Sequence, residues 1–240
     1  MSKLKDYLKR GGERILDRYS RTWLYPFLTP GNFTVRRAIV KAALKHARGN
    51  ALDAGSGRGP YRDLLGAMGA RVFTMDRESR GNEIPDYMGD IQTLEMGRKF
   101  DTILCSQVLE HLPHPQRALE NLAAHLEPEG RLIVTVPHLS MLHNEPDDYF
   151  RYTDHGLRVL LEEAGLEVIE IQKIGGLFTF LGHLYVTFLN NLLYDIPILG
   201  EIAIRLNAVS TLLFVGMDRI IGFRGLVPCN LLAIARKIEE

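Results

Sequence analysis

The feature that most constrains the fold is an alternation of short apolar runs with helix-like segments, which begins near residue 48. The apolar runs are "NALDAG", "RVFTMD" (71–76), "FDTILCS" (100–106) and "GRLIVTVP" (130–137), and "CNLLAIARKI" (229–238) is the last of the chain. Helical periodicity falls between them at 60–68 and 115–127. In "TDHGLRVLLEEAGLEVIEIQKI" a helix capped by Thr153 is expected to end near Gly165 and to lead into another strand. This alternation predicts βαβ units and a mainly parallel sheet.

A basic segment precedes the alternating region. Residues 1–50 hold 12 Lys+Arg against 3 Asp+Glu, although the whole chain has a net charge of zero. We expect residues 1–47 to form a basic helical N-terminal extension, with one helix over 3–20 that is interrupted at Gly11-Gly12 and a second over 35–46. Such a segment binds phosphate on a membrane surface or on nucleic acid, or is simply a solvated helical face.

Residues 175–226 are predicted to be an apolar helical insertion before the last strand. The 21 residues from Ile174 to Tyr194 carry no charge, which is enough length to span a membrane. However, polar residues recur every three or four positions, which indicates packing against protein; they are Thr179, His183, Thr187, Asn190 and Tyr194. A second run, 206–217, is expected to be too short to span. The insertion is interpreted as a lid or core segment, a membrane-surface contact or an oligomer contact.

The two cysteines and the amino end bear on location. Cys105 and Cys229 show no CxxC spacing and lie in strand-like runs, so we expect buried thiols in a reducing compartment. The amino end shows no apolar region of the kind found in signal peptides. The expected location is cytoplasmic, and peripheral attachment at the inner membrane face is the alternative that stays open.

The glycine turn "ALDAGSGRGPY" (51–61) indicates which nucleotide binds. Its spacing is G-x-G-x-G rather than the G-x-G-x-x-G of dinucleotide-binding proteins. Asp53 precedes the turn and would repel a pyrophosphate but attract a cationic amine. Asp76 ends the second strand, where a carboxylate accepts hydrogen bonds from ribose hydroxyls. Asp90 follows a third strand and can accept from an adenine amino group, with Ile91 against the ring.

In this order and spacing, "LDAGSGRG", "FTMD", "GDIQTL" and "FDTILCSQVLEHLPHPQRALENLAAHLEPEGRLIVTVP" resemble the class I S-adenosylmethionine (SAM)-dependent methyltransferases of the broad type 11 sort. The resemblance covers residues 48–172 and the last strand. It implies an α/β fold with a Rossmann-like, doubly wound seven-strand sheet whose last strand is antiparallel, formed by residues 48–174 and 227–240. It also implies SAM as the cofactor and S-adenosylhomocysteine as the product. The expected cofactor-binding residues are Asp53, Gly55, Ser56, Gly57, Gly59, Asp76, Arg77, Asp90, Ile91, Ser106 and Gln107.

Methyl transfer mainly requires alignment of the acceptor with the methyl group, and it needs a base only if the acceptor must lose a proton. Two stretches after the fourth and fifth strands offer suitable groups. "QVLEHLPHP" contains Glu110 and His111, although "LEH" equally fits helix capping and packing. "VPHLSMLHNEPDDYFRYTDHGL" is dense in ionisable groups, although an Asp148–Arg151 pair would also simply hold the loop. The candidate catalytic residues are His111, His138, Tyr149 and Arg151.

We expect no metal site. Five residues offer ligand atoms, but their spacing matches no zinc pattern and no cysteine joins them. These residues are His138, His143, Glu145, Asp147 and His155.

The leading hypothesis is therefore a SAM-dependent methyltransferase that acts on a small-molecule or lipid-linked acceptor, such as a quinone, glycan or lipid precursor. "EPDDYFRYT" resembles a form found in methyltransferases of cell-surface glycan or lipid pathways. An anionic membrane surface and a homodimer are open as partners. An RNA (tRNA) methyltransferase is the alternative that the basic amino end favours, but no RNA-binding module is visible, so nucleic acid is not expected. A non-catalytic SAM-binding protein is a further alternative, and the glycine spacing disfavours an NAD(P) oxidoreductase.

Overall fold

The computed structural model describes residues 2–80, 83–196, 198–223 and 225–238. Seven helices of more than one turn occur in this part of the chain: α1 (Ser2–Tyr19), α2 (Pro30–His46), α3 (Arg62–Ala67), α4 (Pro115–Ala124), α5 (Asp154–Glu163), α6 (Leu177–Leu193) and α7 (Leu199–Ile221). Short 3-10 helices lie at Tyr25–Leu28 and Leu109–His111. The strands are β1 (Asn50–Ala54), β2 (Arg71–Asp76), β3 (Tyr87–Met88), β4 (Phe100–Ser106), β5 (Leu126–Pro137), β6 (Leu166–Ile174) and β7 (Asn230–Lys237).

The strands form one sheet in the order β3-β2-β1-β4-β5-β7-β6. β1 to β5 pair in parallel, whereas β7 runs antiparallel to β5, with Val134 opposite Ala233. The predicted doubly wound seven-strand sheet with an antiparallel last strand is therefore confirmed. Strands covered on both faces are continuous apolar runs, and β7 has this pattern, since Leu231 to Ala235 are fully buried or nearly so.

The chain divides into two compact units. One consists of Met1–Arg37 and Ile174–Cys229, and the other of Ala38–Lys173 and Asn230–Glu240. The second unit contains the sheet, and its core is closed by fully buried leucines of the flanking helices, such as Leu122 and Leu157. As predicted, Thr153 caps α5 by accepting a hydrogen bond from Gly156 N (3.0 Å), and the chain leaves the helix through Gly165, whose φ is +75°.

The predicted interruption of the first helix is wrong, because α1 continues through Gly11 and Gly12. A Cβ added to Gly11 would lie 2.8 Å from the carbonyl oxygen of Asn191. The small residue is therefore required by close packing of α1 on α6, and the cost of glycine within a helix, about 1 kcal/mol, is offset by that contact.

The second apolar helix is longer than the predicted run 206–217. Arg205 and Asp218 flank that run in the sequence, but both lie within α7, which spans 23 residues. Asp218 is buried because its carboxylate accepts hydrogen bonds from Phe178 N (2.9 Å) and Thr179 N (2.8 Å) at the start of α6. α7 is therefore long enough and apolar enough to cross a membrane, and one third of its most apolar window is buried.

Candidate active site

The glycine turn lies at the carboxyl end of β1. Gly55, Gly57 and Gly59 all have positive φ (+75°, +55° and +68°), which residues with a side chain rarely adopt. A Cβ on Gly55 would lie 2.3 Å from Val108, whereas a Cβ on Gly57 would meet nothing within 4 Å. Gly55 N and Ser56 N both donate to Met75 O (2.8 and 2.9 Å). The turn is thus fixed to β2 at its first residues and open to a ligand at Gly57.

Asp53 lies near the carboxyl end of β1, and one of its carboxylate oxygens has no hydrogen-bond partner among the described residues. The residue is 1% exposed, and this oxygen, Oδ2, is buried. Burial, and next the nearby Asp76 carboxylate, raise the pKa of Asp53 to about 7. An unpaired buried carboxylate is unfavourable, so this position would be stabilised by a cationic ligand group.

The second and third strands bring further acidic residues to the same edge of the sheet. Asp76, at the end of β2, accepts a hydrogen bond from Gly57 N through Oδ2 (2.7 Å). Asp90 lies after β3, is exposed, and accepts from Gln92 N (2.9 Å). Ile91 is buried in the core cluster. Arg77 is exposed and forms an ion pair with Asp147 (3.6 Å), so it reaches the loop after β5.

The end of β4 is tied to β5 through a single residue. Thr135, which is fully buried, bonds Ser106 Oγ through its own Oγ1 (2.9 Å) and accepts from Gln107 N through its carbonyl oxygen (2.9 Å). Gln107 has a φ of +57°, an uncommon conformation for a residue with a side chain. The chain therefore turns sharply where β4 leaves the sheet.

Glu110, His111 and His143, here called the Glu110 cluster, meet beside this turn. Glu110 Oε1 lies 3.8 Å from His111 Nε2 and 3.9 Å from His143 Nε2, and the two imidazole rings are 4.8 Å apart. The Glu110 side chain is fully buried, and burial raises its pKa to about 8. Burial also lowers the pKa of His111. Of these three residues only His111 is among the predicted catalytic residues, and nothing in the sequence connects it with His143, which lies 32 positions further along the chain.

The loop between β5 and α5 is held by polar side chains. Arg151 donates to both oxygens of Asp148 (2.6 and 2.9 Å). Burial by itself raises the pKa of Asp148, but the hydrogen bonds from Arg151 and His143 N bring it down to about 2. His138 Nδ1 is 2.6 Å from Tyr152 O. In this structure, therefore, His138 and Arg151 make contacts that position the loop.

The same loop exposes apolar and aromatic surface. Tyr149 is half exposed, and its hydroxyl donates to Asp147 Oδ1 (3.1 Å). Met141, Leu142 and Phe150 are also exposed. His143, a member of the Glu110 cluster, belongs to the same loop as these exposed apolar side chains.

The fold and site together define a class of α/β protein with a glycine turn and acidic side chains at the carboxyl ends of its parallel strands, the edge at which open α/β sheets bind ligands. Residues 32–171, more than half of the chain, match a family described as a methyltransferase domain. The chain belongs to this family, within the class I SAM-dependent methyltransferases.

Among curated relatives, the ubiquinone biosynthesis O-methyltransferase of Coxiella burnetii is 30% identical over an alignment of 111 residues that covers 41% of this chain and 47% of that protein. The chain thus spans about half the length of the curated relatives it matches. Among solved structures, the [4+2]-cyclase SpnF is 15% identical with a TM-score of 0.60, covering 85% of this chain and 82% of that one. The 1,6-didemethyltoxoflavin-N1-methyltransferase of Burkholderia thailandensis, with bound S-adenosylhomocysteine, is 19% identical with a TM-score of 0.55, covering 86% and 79%. At these identities the structures show a shared fold and no shared reaction.

Proposed function

We propose that the chain transfers the methyl group of SAM to a hydroxyl oxygen of an apolar small-molecule or lipid-linked acceptor of the quinone-precursor type. The observation that carries the proposal is the exposed apolar surface of the loop after β5. The same loop contributes His143 to the ionisable Glu110 cluster. The name of the Coxiella relative, which is an O-methyltransferase of ubiquinone biosynthesis, agrees with this acceptor chemistry.

The residues present fit the cofactor. The unpaired Asp53 carboxylate is suited to the ammonium of the methionine part, and open Gly57 lets that part approach the backbone. We assign the ribose hydroxyls to Asp76, with Arg77 beside it. We assign the remaining residues of the glycine turn to the same part of the cofactor site; they are Gly55, Ser56 and Gly59. Asp90 and Ile91 are assigned to adenine, and Ser106 and Gln107 to the sulfonium end.

When bound, SAM supplies a methyl group on a positively charged sulfur with a neutral leaving group. The chain's own task is then alignment of the acceptor and removal of the hydroxyl proton. We assign proton removal to the Glu110 cluster, which includes His111, and contact with the acceptor to Tyr149. His138 and Arg151 act as positioning residues, since their polar atoms hold the loop.

The α6–α7 hairpin supports an acceptor drawn from a membrane. Its buried face carries polar residues beside apolar ones such as Val186 and Ile204. Asn207 Nδ2 donates to Asn190 Oδ1 (2.6 Å), and Asn190 Nδ2 donates to Leu28 O (3.0 Å). Its outer face is apolar, with exposed side chains at helical spacing; they include Leu181, Tyr185, Phe188, Leu199, Ile202, Leu206, Val209, Leu213, Met217 and Ile220.

The apolar outer face and the buried polar and small residues distinguish this helix pair from a water-facing one. Helices in lipid place polar and small residues at the contact between helices and large apolar residues outside. Gly182 follows the same rule, since a Cβ there would lie 2.4 Å from the Phe214 ring. We therefore propose that this face enters the headgroup and acyl region of an anionic bilayer, with the chain peripheral at the cytoplasmic side.

Charge in the same unit agrees with an anionic lipid surface. Residues 1–37 and 174–229 contain 12 Lys+Arg and 6 Asp+Glu. Each cation near such a surface contributes about 1 kcal/mol of attraction. Two of these cations, Arg14 and Arg18, are paired with Asp195 and Glu201 (2.6 and 2.7 Å) and contribute less to the attraction of any anion. RNA is a weaker proposal for the charge, because the sequence shows no RNA-binding module.

Product analysis tests the acceptor. Purified protein with SAM is offered a prenylated catechol in mixed micelles, the same catechol without its prenyl chain, and total tRNA. The expected result is formation of S-adenosylhomocysteine with a product heavier by one CH2, with kcat/KM for the prenylated compound at least ~10-fold above that of the unprenylated one, since burying even part of such a chain is worth about 0.8 kcal/mol per CH2. Turnover with tRNA alone, or SAM binding without turnover of any acceptor, would contradict the proposal.

A further inference from the structure

We propose that the Glu110 cluster binds a divalent transition metal ion of the zinc type. One carboxylate oxygen and one nitrogen from each imidazole lie within 4.8 Å of one another. The distances of 3.8 and 3.9 Å from Glu110 Oε1 to the two Nε2 atoms are too long for hydrogen bonds. Tetrahedral ligands at about 2.0–2.2 Å from one zinc ion stand about 3.3–3.6 Å apart, so each nitrogen has to approach Glu110 Oε1 by a few tenths of an ångström to share an ion.

The histidine rings are held in the tautomer that a metal requires. His111 Nδ1 lies 2.6 Å from Asp147 O, and His143 Nδ1 lies 3.2 Å from Met141 O. A carbonyl oxygen only accepts hydrogen bonds, so each Nδ1 carries the proton and each Nε2 holds a lone pair. Metal-binding histidines are typically oriented in this way. The side chain of exposed Asn144 lies 3.3 Å from His111 Nε2 and would move aside.

The buried carboxylate supplies the independent reason for a cation. The Glu110 side chain is fully buried, and neither carboxylate oxygen has a hydrogen-bond partner among the described residues. Arg151, a cation of the loop after β5, donates hydrogen bonds to both oxygens of Asp148 and none to Glu110. A buried carboxylate without a partner is costly, and a divalent ion would satisfy it together with the Nε2 lone pairs of the two histidines.

The ligand set indicates the ion and its use. Two imidazoles with one carboxylate are a ligand set of catalytic zinc sites, which keep a fourth position open, whereas all-oxygen sites suit Mg²⁺. Resting on the proposed function, this inference assigns the open position to the acceptor hydroxyl. With the three cluster atoms on the ion, the cluster would promote loss of the hydroxyl proton through the ion instead of accepting the proton itself. The hydroxyl proton passes to water, the oxygen forms the new O–CH₃ bond, and the C–S bond breaks with its electron pair on sulfur. The products are the methyl ether, neutral S-adenosylhomocysteine and one proton.

Metal binding is measured on the full chain by equilibrium dialysis with Zn²⁺ and by the visible absorption of Co²⁺. We expect about one ion per chain, and a loss of at least ~10-fold in affinity in both His143→Ala and Glu110→Gln, because each variant removes a ligand. His155→Ala is the matched control, since this exposed histidine of α5 lies outside the cluster. Circular dichroism verifies that each variant is folded.

Three results would overturn the inference: no bound ion in the wild-type chain, unchanged affinity in His143→Ala, or an equal loss in His155→Ala. The absence of a bound ion would mean that Glu110 is kept neutral by a proton, and either of the other two results would mean that the ion binds elsewhere on the chain. SAM binding, measured by calorimetry on the same metal-free samples, separates the two proposals. A chain that binds SAM but no metal contradicts only the metal site, whereas a chain that binds metal but no SAM contradicts the proposed function.

Discussion

The buried Asp53 carboxylate destabilises the ligand-free protein and is suited to bind a cationic group of a ligand. Its carboxylate is buried and its pKa is raised to about 7, so the free protein is destabilised whenever this group is charged. Below about pH 4 the folded and unfolded chains both hold the proton and nothing is lost. As the pH rises from about 4 to about 7, the unfolded chain releases the proton first, and the folded state loses stability.

Asp53→Asn should therefore stabilise the ligand-free protein at pH 8 by a few kcal/mol, on the order of 2–4, while weakening SAM binding at least ~10-fold. Urea unfolding at pH 5 and pH 8 measures the first effect, and the gain should shrink at pH 5. Glu163→Asn, at an exposed position of α5, is the control and should change stability by less than about 0.5 kcal/mol. Equal stability of wild type and Asp53→Asn at pH 8 would contradict the account.

At the level of single residues, sequence patterns predicted chemical types better than environments. The G-x-G-x-G spacing predicted a glycine turn after the first strand, and the structure shows that turn with a positive φ at each of the three glycines. The left-handed conformation of Gln107 and the complete burial of Glu110 have no sequence signal, because both depend on how β4 meets β5 and the loop after it. The proximity of His143 to His111 was likewise hidden by their separation along the chain.

At the level of elements, the polar stripe of α6 was predicted to pack against protein. Residues Asn190 and Thr179 of the stripe are buried as expected. The extent of α7 was not predictable from hydropathy, because Asp218 looks like a boundary and is instead a buried cap of α6. Continuity of α1 through two glycines was also hidden, since it depends on contact with Asn191.

The double variant Leu206→Glu/Leu213→Glu should bind anionic vesicles at least ~10-fold more weakly than wild type, because each charge must leave water to follow the apolar face into lipid. Co-sedimentation with vesicles of phosphatidylcholine and phosphatidylglycerol measures this, with pure phosphatidylcholine as the comparison. Leu44→Glu is the matched control: the residue is 67% exposed, as Leu206 and Leu213 are 63% and 64% exposed, but it lies on α2.

Wild-type binding that equals that of the double variant would contradict the membrane proposal. A homodimer that the double variant dissociates, in a protein that ignores vesicles, would assign the apolar face to a second copy of the chain instead. Sedimentation equilibrium without lipid distinguishes these outcomes.

At the level of the whole molecule, the alternation of strands and helices predicted a mainly parallel sheet, whereas the seven strands and the antiparallel last strand were expected only from the family resemblance. The predicted boundaries 1–47, 48–174 with 227–240, and 175–226 are a proposal about organisation. The structure itself groups Met1–Arg37 with Ile174–Cys229 as one compact unit. That pairing of the chain's start with a late segment has no local signal, because it arises from long-range packing such as that of Ile15, Leu28 and Ile204.

The central claim is that the acidic edge of the sheet binds SAM. Isothermal titration calorimetry of the wild type, Asp76→Asn and the control Glu163→Ala tests it most directly. We predict micromolar binding of SAM by the wild type and the control, and a loss of about 10- to 100-fold in Asp76→Asn, since a hydrogen bond to a charged group contributes roughly 1.5–3 kcal/mol. Unchanged SAM affinity in Asp76→Asn, or heat of binding with NAD and none with SAM, would contradict the account.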